Sequence, residues 1–322
     1  MLMFSLAIIT GLIFLVLSAD RFVAGAAAIA NNFGVPHIII GVTIVSLGTS
    51  APEIIAAIFA SLEGRSELAM GNAIGSNIAN IGLVLGITAL VAPIPVSKRL
   101  IANENLIMLG VSLITGALLF NLYLGIVDSI ILISLLVVFL GWIYWQHQSP
   151  KADNHDEDFE DEIPSDMSTT LATISFGGGL AILIGSAKVL LWGAIGIATT
   201  YGISDAIVGA TIIAIGTSLP ELAASVASAL KKHHDIAIGN VLGSNIFNLL
   251  AVLAVPGLLS PSEFSPEVFN LHYLFMLAIS VLLFILLIIQ GKRGHTLGRY
   301  LGTVFVLTYA VYGYIAFQAA TV

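Results

Sequence analysis

Ten runs of apolar residues, each long enough to cross about 30 Å of hydrocarbon as a helix, govern what this chain can fold into. They lie at residues 2–30, 37–61, 69–92, 104–121, 125–147, 169–201, 205–230, 236–259, 270–290 and 297–318. The bilayer core offers no water to backbone N–H and C=O groups, so each such run must satisfy its own hydrogen bonds, and at this length that means helix. Only 9% of the 322 residues are charged and 58% are hydrophobic, too little polar surface for a soluble fold of this size. The expectation is an all-α integral membrane protein with ten transmembrane helices.

The opening residues Met1 to Thr10 include no basic residue. They lack the charged head of a cleavable signal, so the first run is expected to persist as helix one. Cysteine is absent, which excludes disulfides and thiolate metal sites. The net charge of −8 arises largely from eight of the nineteen acids falling between Asp153 and Asp166. A charge run of that kind is a solvated linker, and it lacks the Gly-centred spacing of an EF-hand loop. Nothing here suggests a nucleic-acid partner or an obligatory protein partner. Basic residues set orientation, because Lys and Arg in short loops stay on the cytoplasmic side. Lys98, Arg99, Lys151, Lys231, Lys232, Lys292, Arg293 and Arg299 all fall in or beside alternate loops, and only Arg65 falls opposite. Both termini are therefore expected outside a prokaryotic cell membrane, with the linker 148–168 in the cytoplasm.

The chain repeats itself. Residues 34–93 align without a gap on 202–261 at a constant offset of 168, with 24 identities in 60 positions. The shared residues are Gly, Thr, Ser, Pro, Glu and Asn, which apolar composition alone would not hold in register. They form two blocks per half: GTSAPE at 48–53 with GTSLPE at 216–221, and GNAIGSNIAN at 71–80 with GNVLGSNIFN at 239–248. The chain divides into a first five-helix repeat (1–147), the linker and a second five-helix repeat (169–322). An odd number of helices per repeat makes the halves inverted, which is the architecture of alternating access.

The blocks carry oxygen chemistry. Pro52 and Pro220 lack an N–H, so the carbonyls of Gly48 and Gly216 are expected to lose their helical partners in mid-membrane. Thr49 and Glu53 share a helical face with Ser50 beside them, and Ser76 with Asn80 and Ser244 with Asn248 repeat the i, i+4 spacing. Gly71 with Gly75, and Gly239 with Gly243, have the spacing that lets membrane helices approach closely. Two carboxylates among hydroxyls and amides, with no His or Cys, suit a hard cation. Either one Ca2+ or two Na+ balances two Glu charges, which gives exchange a physical basis. Ca2+ is favoured over Mg2+ because it accepts six to eight flexible oxygen ligands and sheds water readily.

Each residue has a plainer alternative. Glu53 and Glu221 would then be protonated or paired inside the bundle, against the functional default for an intramembrane acid. The hydroxyls would bond the preceding turn, and Asn80 and Asn248 would be interhelical glue. Asn72, Asn77, Asn240 and Asn245 are assigned to packing and helix ends. Asp20, Arg21 and Lys188 are read as local pairs or snorkelling side chains, and His37 and Asp205 as residues of helix starts after Pro36 and Ser204.

These motifs resemble the two α-repeats of the sodium/calcium exchangers within the calcium/cation antiporter superfamily, and the resemblance covers nearly the whole chain. It implies ten helices and ions held by Ser46 (through its carbonyl), Thr49, Ser50, Glu53, Ser76 and Asn80 from one half. From the other half it implies Ala214 (through its carbonyl), Thr217, Ser218, Glu221, Ser244 and Asn248. It further implies three Na+ moving against one Ca2+, helices one and six sliding over a fixed core, and no cofactor beyond the transported ions. Many relatives carry Asp at one second-block position, whereas this chain has Asn at both 80 and 248, so its site holds two formal negatives rather than three. Proton-coupled branches begin the first block with Gly-Asn, which favours sodium as the driving ion here. The alternatives are a proton-coupled exchanger of the same superfamily and a passive cation channel. An enzyme is not expected, since the chain offers no HExxH helix, Cys nucleophile or Gly-x-Ser-x-Gly elbow.

Overall fold

The computed structural model describes residues 1–96, 104–147, 167–201 and 214–321. Lys98, Arg99, Lys151, the acidic run from Asp153 to Asp166, Ser204 and Asp205 lie outside the described residues. The rest is overwhelmingly helical. The helices are α1 (Leu2–Phe33), α2 (His37–Thr49), α3 (Ala51–Leu62), α4 (Ser66–Val91), α5 (Glu104–Leu119) and α6 (Ile126–His147). They continue as α7 (Thr169–Thr200), α8 (Ala214–Thr217), α9 (Leu219–Leu230), α10 (His234–Leu259), α11 (Val268–Arg293) and α12 (Arg299–Thr321). Helix falls within every one of the ten expected runs. Among the described residues seven are long and apolar enough to cross a membrane, or eight if α2 and α3 count as one bent span. Of the others, α5 has 16 residues, and α9 has 12 and follows the segment 202–213, which is outside the described residues.

The expected span 37–61 is two helices bent by 43° at one residue. Pro52 stands in the first turn of α3, where its missing N–H would have had no helical partner in any case. Ser50 turns out of helical geometry with ψ near 2°, and the chain restarts. The Gly48 carbonyl consequently accepts a backbone N–H at the end of α2, so the bare carbonyl expected there does not form. Proline at this place breaks the helix instead of leaving a hole in it.

The repeat is written into the backbone residue by residue. Helices α3 and α9 begin and end 168 positions apart. Ser218 has φ −89°, ψ 6°, against −84° and 2° at Ser50. The left-handed Gly64 (φ 72°) corresponds to Lys232 (φ 66°), a side chain tolerating what glycine does freely. Two short strand pairs follow the repeat in order. Strands β1 (Ile94–Pro95) and β4 (Thr296–Leu297) pair antiparallel, as do β2 (Tyr123–Leu124) and β3 (Ser262–Glu263), with β1 and β3 at the same offset of 168 and β2 and β4 at 173. Each half thus lends its first strand to the other half's second.

Helices α1 and α7 form a layer of their own, packed backbone to backbone through glycine. A Cβ on Gly25 would meet Phe176 N at 2.4 Å, and one on Gly179 would meet Phe22 N at 2.6 Å. The main core lies between α4, α5, α10 and α11, where Ile74, Ile78, Met108, Leu242, Ile246 and Met276 are wholly buried. Asp20 of α1 reaches Lys231 at the end of α9, 2.7 Å away; this pair joins separate elements and is not the local pairing expected of Asp20. Pro36 occupies the cap position of α2 without a side-chain cap, and the His37 ring meets His233 edge-on at 5.2 Å.

Candidate ion-binding site

The break at Ser50 and its counterpart at Ser218 bring the first-block residues of both halves to the middle of the molecule. Ser46, Thr49, Ser50 and Glu53 are fully buried where α2 gives way to α3, and Glu221 and Ser218 are 1% exposed at the start of α9. Thr217 is half-buried and Ala214 begins α8. The second-block residues Ser76 and Asn80 on α4, and Ser244 and Asn248 on α10, are buried as well. Asn80 and Asn248 each open a π-helical turn, Asn80–Leu85 and Asn248–Val252. Such turns concentrate at functional sites because they widen the helix at the cost of regular hydrogen bonding.

The halves touch through polar atoms. Ser50 Oγ donates to Glu221 Oε1 at 3.1 Å, and Thr49 Oγ1 donates to Asn240 Oδ1 at the same distance. Gly239 and Gly243 permit this approach: a Cβ on Gly243 would lie 2.4 Å from the Val42 carbonyl and 2.5 Å from Ser46 Oγ. The close-packing role expected for that glycine pair is met. The segment that symmetry would place against Gly71 and Gly75 lies mostly in 202–213, outside the described residues.

Hydrogen bonding leaves a specific set of atoms unused. Among the described residues no other residue hydrogen-bonds to the buried oxygens of Glu53, Oε2 of Glu221, Ser218 Oγ, Ser244 Oγ, or to Oδ1 and Nδ2 of Asn80 and Asn248. Burying one such carboxylate costs several kcal/mol when nothing compensates it. These oxygen atoms come from four helices and both repeats, and oxygen donors of this kind are the chemistry that hard cations take. Among the described residues no group of three or more His, Cys, Asp or Glu side chains is placed to hold a metal ion, so a cation here would depend on hydroxyl, amide and carbonyl oxygens beside the two Glu.

Asn240 was assigned to packing, and it does pack, but it also contacts Thr49 and Glu221 directly. The available signal was Ser225, four residues after Glu221 on the same face and replaced by Ala57 in the first half. Asn77 and Asn245 fit the packing assignment: Asn77 Nδ2 donates to the Asn245 carbonyl at 3.1 Å, and Asn245 Nδ2 reaches Met108 Sδ.

Buried carboxylates inside a multi-pass helical bundle define a membrane protein that handles charged solutes, and similarity to known proteins narrows the class. The family described as sodium/calcium exchanger protein matches residues 3–145 and 171–318, and the chain belongs to that family of membrane antiporters. CaxA of Alkalimonas amylolytica is 39% identical over 320 residues, covering 99% of this chain and 100% of that one. The sodium/calcium exchanger MaX1 of Methanosarcina acetivorans is 29% identical across 97% of this chain and 98% of its own. The solved structure of the sodium-calcium exchanger NCX_Mj, soaked with Na+ and Sr2+, superposes with a TM-score of 0.82 at 31% identity, covering 96% of this chain and 97% of that one. MaX1 and NCX_Mj are named as sodium/calcium exchangers, and CaxA as a putative antiporter.

Proposed function

We propose that this chain exchanges Ca2+ for Na+ by alternating access at a mid-membrane site made only of oxygen donors. The twelve residues named from sequence would hold the ions, and the scaffold would be ten helices in two inverted repeats, 1–147 and 169–322, joined by a cytoplasmic linker at 148–168. Both termini would lie outside the cell membrane. The observation that carries the reading is the pair Glu53 and Glu221, buried together with three of their four carboxylate oxygens unused. One Ca2+ or two Na+ neutralises the pair, so either load removes the cost of moving the site past hydrocarbon, whereas the empty site keeps it. That difference penalises return without cargo, which is what couples two opposing fluxes. The even disposition of strand pairs between the halves supports inversion, since it places the loop after α4 beside that before α12, and the loop before α6 beside that after α10.

Proteoliposomes loaded with Na+ and diluted into Na+-free buffer test the reading by uptake of radioactive Ca2+. Uptake that requires the outward Na+ gradient and persists when the membrane potential is clamped supports antiport. Uptake driven by a proton gradient but not by sodium assigns the chain to proton coupling, and Ca2+ entry needing no counter-ion assigns it to a channel.

A further inference from the structure

Asn240 lies outside the twelve expected ligands, yet it is fully buried and bonded to two of them. Its Oδ1 accepts the Thr49 hydroxyl at 3.1 Å, while its Nδ2 donates to Ser225 Oγ at 2.9 Å and to the Glu221 carbonyl at 3.4 Å. A carbonyl only accepts, so the Glu221 oxygen fixes which end of the amide faces it. Ser225 holds the same end, and the amide is left presenting its oxygen to Thr49.

Thr49 has one hydroxyl proton and three acceptors in reach: Asn240 Oδ1 at 3.1 Å, the Ser46 carbonyl at 3.3 Å and the Glu221 carboxylate. The Ser46 carbonyl already accepts the Ser50 N–H at 2.9 Å. A proton given to Asn240 leaves that carbonyl one lone pair, and leaves the lone pairs of the Thr49 hydroxyl for a cation. A proton given to Ser46 consumes the carbonyl's second lone pair. The choice made at Thr49 therefore sets whether a backbone oxygen of the first repeat is available to an ion.

Among the described residues the hold on the amide nitrogen has no counterpart in the first repeat. The position of Ser225 is occupied by Ala57 in the first repeat, and the Nδ2 of Asn72, the counterpart of Asn240, has no hydrogen-bond partner among the described residues. We infer that Asn240, oriented by the Glu221 carbonyl and held by Ser225, is a positioning residue that turns the Thr49 hydroxyl away from the Ser46 carbonyl and thereby sets the cation affinity of the first-repeat half of the site. This rests on the reading of Thr49 and Ser46 as ion-facing.

A double-mutant cycle tests it, using purified full-length protein and equilibrium binding of radioactive Ca2+ beside Na+-driven uptake. Asn240→Leu raises half-saturating Ca2+ about tenfold and the milder Ser225→Ala about threefold, as loss of one buried hydrogen bond would, with the maximal uptake rate retained. Combined with Thr49→Val, neither substitution weakens binding further, because its route of action has gone. Multiplicative effects in the double variants would overturn the inference and leave Asn240 a packing residue. Wild-type affinity in Thr49→Val alone would refute the ion-facing reading itself, and this inference with it. Should Asn240→Leu not yield folded protein, the Ser225→Ala cycle with Thr49→Val carries the same test.

Discussion

Among the described residues no neighbouring residue hydrogen-bonds to the Glu53 carboxylate, whereas Ser50 and Thr49 both lie against that of Glu221. Acids of this kind survive burial only where a cation or proton balances them. The chain holds amides at both Asn80 and Asn248, so the acids of the two blocks are the two carboxylates alone. Asn248→Asp would add a third within the same buried region, and like charges at close range hold one another's protons. We expect that variant to transport with a steeper loss on acidification than the wild type, measured as Ca2+ uptake between pH 8 and pH 6. Identical profiles would place residue 248 away from the carboxylates. The carboxylates, hydroxyls and amides were readable from sequence because the repeat set them apart from apolar background twice. The Asn240 contact with Thr49 was not, since it joins residues 191 positions apart, and Ser225 marks only the polar face of α9, not which face of α10 meets α2.

At the scale of elements, the site depends on the crossing of α2 with α10. Gly243→Ala would push a methyl group against the Val42 carbonyl, a backbone atom that cannot rotate away. Overpacking of this sort costs about 1–3 kcal/mol, and because the displaced turn carries Ser46 and Thr49, thermal stability and Ca2+ affinity should fall together. A variant with normal melting and affinity would show that the contact is relaxed in solution. By contrast the Asp20–Lys231 pair has side chains 56% and 30% exposed, so Lys231→Met should cost less than about 1 kcal/mol. Helix existence followed from apolar runs of sufficient length, but the full stop at Ser50 and the π-turns at Asn80 and Asn248 did not. Pro52 signals disturbance without saying whether the helix kinks or restarts, and a π-turn depends on packing several residues away.

For the whole molecule, inversion makes a claim about sides. If the proposed inversion holds, the β1·β4 and β2·β3 pairs lie on opposite membrane faces, and the orientation we propose from Lys and Arg would put β1·β4 on the cytoplasmic one. The chain has no cysteine, so Glu263→Cys and Thr296→Cys provide single reporters. An impermeant maleimide applied to intact cells should label Cys at 263 and spare Cys at 296, with the second labelled only after the membrane is opened. The reverse pattern would invert the orientation, and labelling of both from outside would end the inverted-repeat arrangement. The repeat itself was plain at an offset of 168 because its blocks are functional chemistry. The exchange of short strands between halves, Ile94 with Leu297 and Leu124 with Ser262, was hidden because two-residue strands carry no periodic signal.

The most direct measurement is equilibrium binding of radioactive Ca2+ to the purified protein, with Na+ as competitor, in wild type, Glu53→Gln and Glu221→Gln. A shared site predicts saturable Ca2+ binding displaced by Na+ in the wild type and binding lost in each variant, though both fold. Full Ca2+ binding in both variants, or binding indifferent to Na+, would contradict the account.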